Sequence, residues 1–474
     1  MNFPWLFLIN LGIISLALLL ATLIRVNIRF FQKYLIPNSL TAGFILLIFY
    51  NYIAPFFGLS QASLGHMVYH LLSISFIAMS LRKAPLPREK GGKGIVSTSV
   101  SIIFQYSVQA LTGLLLTFFF IKTFIPDLFP SFGFFLPLGF ALGPGQAYAI
   151  GQGWEEFGFK GAGSVGLTFA ALGFIWACFG GMYLINYGLR KNWIGERKVE
   201  VIKKLRVKSG VYPKDVKRPV GSHLTTESEA IDSMTLNSAV VFGTYLLSYL
   251  FLKFLTWLLS FAGKLGMDLA VNLWGISFVF AALTALAVRK VFHSIRIDYV
   301  MDNGCLTRIS GFAVDVMVAA SLGAISIVVV RKYWLPILVI STVGGIIISL
   351  SVPWFCSRIF RDHKFHRTLI VYGASTGTMP TGLALLRVID PQFETPVASD
   401  YMFSSAVTFV LVIPFILAIN LPAYSYAYNK PLYFWLAIFV AFAYFIFTMI
   451  MHKVLSGKSF FKRPLKIWLY KTAK

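Results

Sequence analysis

The sequence predicts an all-α polytopic membrane protein with two inverted-topology repeats of five spans, each with a re-entrant hairpin, plus one extra C-terminal span. Three observations support this. Apolar runs of about 20 residues recur along the chain, two further runs are broken by Gly and Pro, and the basic residues cluster between runs. Only 13% of the 474 residues are charged, whereas a soluble domain carries about 25%. The runs are continuous rather than alternating, which excludes a β-barrel.

Eleven apolar runs are long enough to cross a bilayer. They fall near 4–24, 36–54, 66–82, 95–123, 161–188, 236–261, 268–292, 305–329, 334–355, 398–421 and 431–452. The first run follows no basic region and precedes no small-residue cleavage site, so it is predicted to be a span rather than a removed signal peptide. The three cysteines of the chain show neither metal-ligand spacing nor a disulfide framework.

Two further runs, near 131–153 and 366–388, are interrupted by Gly, Pro and polar residues. The first contains GPGQAYAIGQG from Gly143, and the second contains GASTGTMPTG from Gly373. Irregular backbone is tolerated at membrane depth only where protein or a water-filled cavity encloses it. We therefore expect two re-entrant hairpins that enter from opposite faces and meet near the midplane. Ordinary extramembrane loops are the alternative.

The basic residues predict the orientation of the chain. If neither broken run crosses and the N-terminus is outside, 35 of the 42 Lys and Arg lie in cytoplasmic segments. This is the positive-inside pattern of a multi-pass protein of the cell membrane, with a cytoplasmic C-terminus. The same pattern accounts for the formal charge of +24 without a nucleic-acid partner.

The chain divides into four parts. Residues 1–190 form the first repeat, 191–235 a basic cytoplasmic linker, 236–421 the second repeat, and 422–474 an extra span with a basic tail. Because each repeat has an odd number of spans, the second is inverted relative to the first. A broken segment at the same place in two inverted halves is typical of secondary transporters.

Candidate binding residues come mainly from the broken runs, where glycines, hydroxyls and freed backbone groups can face a ligand. For the substrate they are Gly143, Gly145, Gln146, Tyr148, Gly377, Thr378, Thr381 and Arg387. For a sodium ion they are Ser375, Thr376, Thr378 and Asp315.

Two of these candidates are charged. Asp315 is the one acidic residue well inside a predicted span, which makes it a functional candidate. Its alternative role is a structural pair with Arg308 or with another helix. A guanidinium such as that of Arg387 can grip a carboxylate with two hydrogen bonds. Arg387 can equally anchor the chain at the cytoplasmic interface or pair with Asp390.

Three stretches carry a resemblance to a known family. They are Tyr34-Leu35-Ile36-Pro37 before an apolar span that contains Gly43, the glycine-rich Gly143 to Gly153, and Gly377-Thr378-Met379-Pro380-Thr381. Their order over most of residues 1–421 resembles the sodium/glutamate symporter family, in which a Gly-Ala-Thr-Pro-Thr element is similar to the third stretch. Family members commonly carry Gly-Gly-His-Gly-Thr-Gly in the first hairpin, whereas this chain has GPGQA and an additional eleventh span.

The resemblance implies sodium-coupled uptake of an acidic amino acid and a homodimer. We therefore expect a symporter of glutamate or a related organic anion that works by alternating access. Its expected partners are a small anionic amino acid or carboxylate, membrane lipid and Na⁺ as coupling ion, with no other cofactor. The alternatives are a proton-coupled carboxylate or amino-acid transporter and, less favoured, an intramembrane enzyme, for which the sequence offers no catalytic triad or His-metal cluster.

Overall fold

A computed structural model describes residues 5–34, 36–83, 92–193, 211, 220–261, 263–390, 395–460 and 463–470. Within these ranges the chain is helical and has no strands. Ten of the described helices are long and apolar enough to cross a membrane. The chain is therefore an all-helical, multi-pass membrane protein.

The α-helices of the first part of the chain are α1 Leu6–Asn27, α2 Arg29–Lys33, α3 Asn38–Ile48, α4 Gln61–Leu81, α5 Gly92–Thr123, α6 Phe135–Pro137, α7 Pro144–Glu155 and α8 Ala162–Arg190. Those of the second part are α9 Ser233–Ser260, α10 Gly263–Gly275, α11 Ser277–Ser294, α12 Asn303–Gly323, α13 Ile327–Lys332, α14 Trp334–Ile359, α15 Lys364–Thr376, α16 Met379–Ile389, α17 Val397–Ile419, α18 Leu421–Tyr428 and α19 Pro431–Ser456. Short 3₁₀ segments cover Ala54–Phe57, Phe132–Phe134, Asp298–Val300 and Gly457–Ser459, and π segments cover Phe49–Ile53 and Leu138–Leu142.

Three of the eleven predicted spans differ in form from the prediction. The run near 305–329 is divided, because α12 ends at Gly323 and α13 begins at Ile327. The run near 36–54 is an α-helix of 11 residues that continues as the π segment Phe49–Ile53 and the 3₁₀ segment Ala54–Phe57. The run near 268–292 is divided at Ile276 into α10 and α11. Gly275 ends α10, and glycine is a poor helix former. Apolar content alone does not report such changes of helix type.

The predicted linker 191–235 falls largely on residues 194–210 and 212–219, which lie outside the described residues, as does Leu35 of the Tyr34–Pro37 stretch. The end of the linker that is described leads into α9. There Asp232 is the N-cap, and its carboxylate accepts a hydrogen bond of 2.7 Å from the backbone N–H of Thr235. Asp302 caps α12 in the same way, with 2.7 Å to the N–H of Cys305. Such caps satisfy backbone donors that a helix start leaves unpaired.

The helices pack as two groups. The first bundle consists of α1, α3, α4 and α9 to α12, and α12 lies against both α3 and α4 at its centre. The second bundle consists of α5 to α8 and α14 to α19, with α5 in contact with α14, α17 and α19. The two bundles meet chiefly where α7 packs against α4, α10 and α12.

The outer surface of the protein is apolar along the peripheral helices. Leu19 of α1, Phe242 of α9 and Phe439 of α19 each leave more than half of their surface exposed. Such faces are stable only in contact with lipid or with another protein. The α5 and α8 helices are buried along most of their length, so the interior of the second bundle is enclosed by protein.

Candidate functional site at two helix breaks

The second broken run folds back on itself as a helical hairpin, residues 364–389. A Cβ atom added to Gly373 of α15 would lie 2.6 Å from the Cα of Gly382 in α16. The backbones of the two helices therefore touch, and only glycine allows that approach. The chain reverses between them at Gly377 and Thr378.

The first broken run also folds back, as the helical hairpin of residues 132–155. The ring of Phe135, before the break, lies 4.8 Å from the ring of Trp154, near the end of α7. The indole N–H of Trp154 donates to Asn420 at 2.8 Å, which ties the base of this hairpin to the end of α17. The reversal occurs at Gly143.

The two reversals have the same backbone conformation. Gly143 has φ 101° and ψ 177°, and Thr378 has φ 100° and ψ 169°. This region is populated almost only by glycine, and another residue there costs about 1–3 kcal/mol. A proline follows each reversal in the first helical turn, Pro144 in one hairpin and Pro380 in the other. Proline is tolerated there because its missing N–H would have no intrahelical partner.

The tips of the two hairpins are in contact inside the protein. A Cβ atom added to Gly143 would lie 2.5 Å from Cγ2 of Thr378. A Cβ on Gly173 of α8 would lie 2.5 Å from the carbonyl oxygen of Thr376 and 3.0 Å from the ring of Phe140. Gly173 thus allows both hairpins to approach α8. The two breaks, 235 positions apart in sequence, form one site, in which Gly143 is buried and Thr378 is partly buried.

Two helix N-termini begin at this contact. Gly143 is the N-cap of α7 and Thr378 is the N-cap of α16, and neither helix start has a side-chain cap. A helix N-terminus carries a partial positive charge and uncapped N–H groups, which favour a bound anion. The site therefore has two helix dipoles that begin at one point.

Oxygen atoms at the end of α15 form the other part of the site. The side-chain N–H of Gln109 in α5 donates to the carbonyl of Ser375 at 3.0 Å. Both Oε1 of Gln109 and Oγ of Ser375 are buried and have no hydrogen-bond partner among the described residues. Thr376 Oγ1 donates to Tyr372 O at 2.8 Å, and Thr381 Oγ1 to Gly377 O at 3.1 Å. Such oxygens are ligands of the kind that hard cations prefer.

The candidates of the first hairpin separate into two groups. Gln146 is buried, and its Oε1 lies 3.7 Å from the Cβ position of Gly143, beside the tip. Gly145 instead faces Leu72 of α4, whose side chain would lie 2.6 Å from an added Cβ. The hydroxyl of Tyr148 packs against Gly65 of the same helix. Gly145 and Tyr148 thus lie at the junction of the two bundles.

The two charged candidates are exposed and do not belong to the hairpin tips. Arg387 is exposed in the last turn of α16, nine residues and about 13 Å of helix from Thr378. Asp315 is exposed on α12 of the first bundle, with its carboxylate beside the hydroxyl of Ser39. Gly143, Ser375 and Thr376, in contrast, are buried, and Thr378 is partly buried.

The contribution of α5 to the site was not predicted from the sequence. Gln105 lies one turn from Gln109 and accepts a hydrogen bond of 3.0 Å from Ser351 of α14. Both glutamines are buried. Two glutamines four residues apart fall on one helix face. Amide side chains inside an apolar span are a pattern from which this polar contribution could have been predicted.

No group of three or more His, Cys, Asp or Glu side chains within the described ranges is placed to hold a metal ion. Comparison of the chain with protein-family models, curated proteins and solved structures found no match.

Proposed function

We propose that this protein is a secondary transporter that carries glutamate or a related small organic anion together with sodium across the cytoplasmic membrane. The observation that carries the proposal is the contact between the two helix breaks at Gly143 and Thr378. Broken helices that meet inside an enclosed bundle are a means of binding a polar solute at membrane depth.

The polarity of the site supports an anion and a cation together. The uncapped starts of α7 and α16 favour the carboxylate of the substrate. The unpartnered oxygens of Gln109 and Ser375 suit Na⁺, which takes oxygen ligands. Because an unsatisfied buried acceptor costs about 1–3 kcal/mol, a cation that satisfies these oxygens gains that energy on binding.

The two bundles support transport by alternating access. In this proposal the hairpins are re-entrant, belong to two inverted halves of the chain, and enter from opposite faces of the membrane. The second bundle holds both tips and moves against the first, and α7 forms the main contact between them. Rocking of one bundle against another around a fixed site is a common transporter mechanism. The N-terminus is outside, the C-terminus is cytoplasmic, and a homodimer is the proposed assembly.

The test is uptake of radiolabelled glutamate into proteoliposomes that hold the purified full-length chain. An inward sodium gradient should drive accumulation, and a sodium ionophore should abolish it. Uptake of an anion of charge −1 with two or more sodium ions should also increase with an inside-negative potential. Sodium-independent behaviour towards a panel of acidic and neutral solutes would overturn the proposal. Uptake that follows a proton gradient instead would assign the same site to proton coupling.

A further inference from the structure

A large basic cavity lies at the opposite end of α15 from the hairpin tip. Its volume is about 1060 Å³, and it is lined by the end of α14, the start of α15, the end of α19 and the C-terminal segment of residues 463–470. Its basic lining residues are Arg358, Arg361, His363, Lys364, His366, Arg463 and Lys466. Among the described lining residues there is no Asp or Glu.

Arg358 is the buried cation of this cavity, with 1% of its surface exposed. Its guanidinium donates to the carbonyls of Trp354, Arg463 and Lys466 at 2.8, 2.9 and 2.7 Å. Its Nε is buried without a partner, and no carboxylate of a described residue pairs with it. A buried charge without a counter-ion is costly, so the arrangement favours an anion in the cavity.

The neighbouring carboxylates are engaged elsewhere. Asp362 follows the lining residue Arg361, and its carboxylate accepts from Arg367 at 2.9 Å. Burial alone would raise the pKa of Asp362, but the charge and hydrogen bond of Arg367 outweigh it and lower the pKa. Asp400 accepts from the same guanidinium at 2.7 Å. Both acids therefore neutralise Arg367 rather than the cations of the cavity.

The start of α15 adds a further positive contribution. Lys364, Phe365 and His366 form its first turn and line the cavity, and the helix has no side-chain cap. The helix has 13 residues, long enough for a dipole whose positive end faces this space. The positive end of the α15 dipole and the cationic side chains thus face the same cavity.

We propose that this cavity binds a phosphate-bearing anion. Arginine recognises phosphate through paired N–H donors and is only weakly hydrated. Several cations line this cavity, and its volume exceeds that of a single carboxylate group. Two sources fit this chemistry, a soluble phosphate compound and the headgroup of an anionic lipid, since basic pockets at the cytoplasmic end of membrane helices bind such headgroups.

Binding would join separate parts of the chain. The cavity walls include the base of the second hairpin through α15 and the C-terminal segment, which Thr368 already holds through a hydrogen bond of 2.5 Å to the hydroxyl of Tyr470. An anion between Arg361 on one wall and Arg463 and Lys466 on the other would clamp the segment to the hairpin base. The ligand should therefore protect the C-terminal segment from proteolysis.

The experiment uses the purified full-length protein in detergent. Its melting temperature and the rate of trypsin cleavage after Lys466 are followed against inorganic pyrophosphate, with ionic strength held constant by sodium chloride. A parallel arm uses dioctanoyl phosphatidic acid, with dioctanoyl phosphatidylcholine as the matched lipid. We expect at least one phosphate probe to raise the melting temperature and to slow cleavage.

A variant in which the three exposed cations of the cavity are neutralised, Arg361→Gln with Arg463→Gln and Lys466→Gln, should bind about tenfold more weakly in the melting titration. The matched control neutralises three exposed cations outside the cavity, Arg29→Gln with Lys33→Gln and Arg296→Gln, and should bind as the parent does. A response to pyrophosphate alone identifies a soluble ligand, and a response to phosphatidic acid identifies a lipid headgroup. No response to either probe, or equal loss in both variants, would overturn the proposal.

Discussion

The two hairpin tips have one backbone conformation but different residues, glycine at position 143 and threonine at position 378. Gly143 adopts its angles without strain, whereas Thr378 holds them at a cost of about 1–3 kcal/mol. The threonine also presents Cγ2 to the position that a Cβ of Gly143 would occupy. Gly143 therefore leaves space at the first tip, and the methyl group of Thr378 occupies it. Backbone strain that persists at a contact of this kind points to function.

The largest effect should follow from filling the space at the first tip. In Gly143→Ala the new methyl group would lie 2.5 Å from Cγ2 of Thr378, closer than real Cβ contacts, and the backbone angles would be strained as well. The tips must then separate. Because a displacement of about 1 Å can reduce a rate about 100-fold, sodium-driven uptake in proteoliposomes should fall by about that factor.

A control and a partial rescue test the cause. Gly153→Ala lies in the same helix α7, and its Cβ meets nothing within 4 Å, so uptake should be retained. Gly143→Ala should also lower the melting temperature. Adding Thr378→Ser removes Cγ2, so the melting temperature of the double variant should lie between those of Gly143→Ala and the parent. Additive losses in the two single variants would show that the tips do not interact.

The next largest effect concerns the oxygens at the end of α15. Ser375→Ala removes a buried hydroxyl that has no partner, and burial of such a group costs about 1–3 kcal/mol. The sodium-free protein should therefore melt at a higher temperature than the parent. If the hydroxyl binds sodium, the concentration for half-maximal uptake should rise about tenfold, the equivalent of about 1.4 kcal/mol. Sodium titrations of uptake and of melting temperature measure both effects.

Gln109→Leu should weaken sodium binding similarly, because Oε1 of Gln109 is the second unpartnered oxygen. The matched control is Thr117→Val, which removes another buried, unpartnered hydroxyl from the same helix α5, two turns further along. It should leave the sodium dependence unchanged. A sodium response in Thr117→Val as large as in Gln109→Leu would indicate a general loss of packing rather than a cation site.

The sequence predicted the positions of the two breaks because glycine and proline act locally. Both control the backbone of their own residue, so Gly143, Pro144 and Gly377 can be interpreted without knowledge of their neighbours. The continuous spans were predictable for a similar reason, since each needs about 20 apolar residues.

The contacts of individual side chains between distant segments could not be predicted, although a meeting of the two hairpins was expected. Gln109 reaches Ser375 across 266 positions, and no local pattern connects them. Tyr148 shares a hairpin with Gln146 but faces α4 rather than the tip. The C-terminal segment, expected to be an accessory basic tail, packs back so that Arg358 donates to two of its carbonyls.

A smaller effect should follow from relieving the strain of the second tip. Thr378→Gly allows the same backbone angles without strain, which stabilises the folded state. The greater conformational freedom of glycine in the unfolded chain offsets part of this gain. The net gain should be about 1 kcal/mol in the free energy of unfolding, measured as a higher melting temperature. Uptake should nevertheless decrease, because the methyl group that contacts the first tip is lost. A variant that is both less stable and fully active would contradict the account of strain given above.

The smallest effect is expected at Asp315, which belongs to the first bundle and not to the hairpin tips. A carboxylate inside a predicted span is a cation-site candidate from sequence, but Asp315 is exposed on α12 beside Ser39, whereas Ser375 and Thr376 at the end of α15 are buried. Asp315→Asn keeps the size of the side chain and a hydrogen-bonding oxygen while removing the charge. Its sodium concentration for half-maximal uptake should stay within about twofold of the parent value, or about 0.4 kcal/mol. A shift as large as that of Ser375→Ala would instead place Asp315 among the residues that couple sodium to transport, and would extend the cation pathway from the hairpin tips into the first bundle.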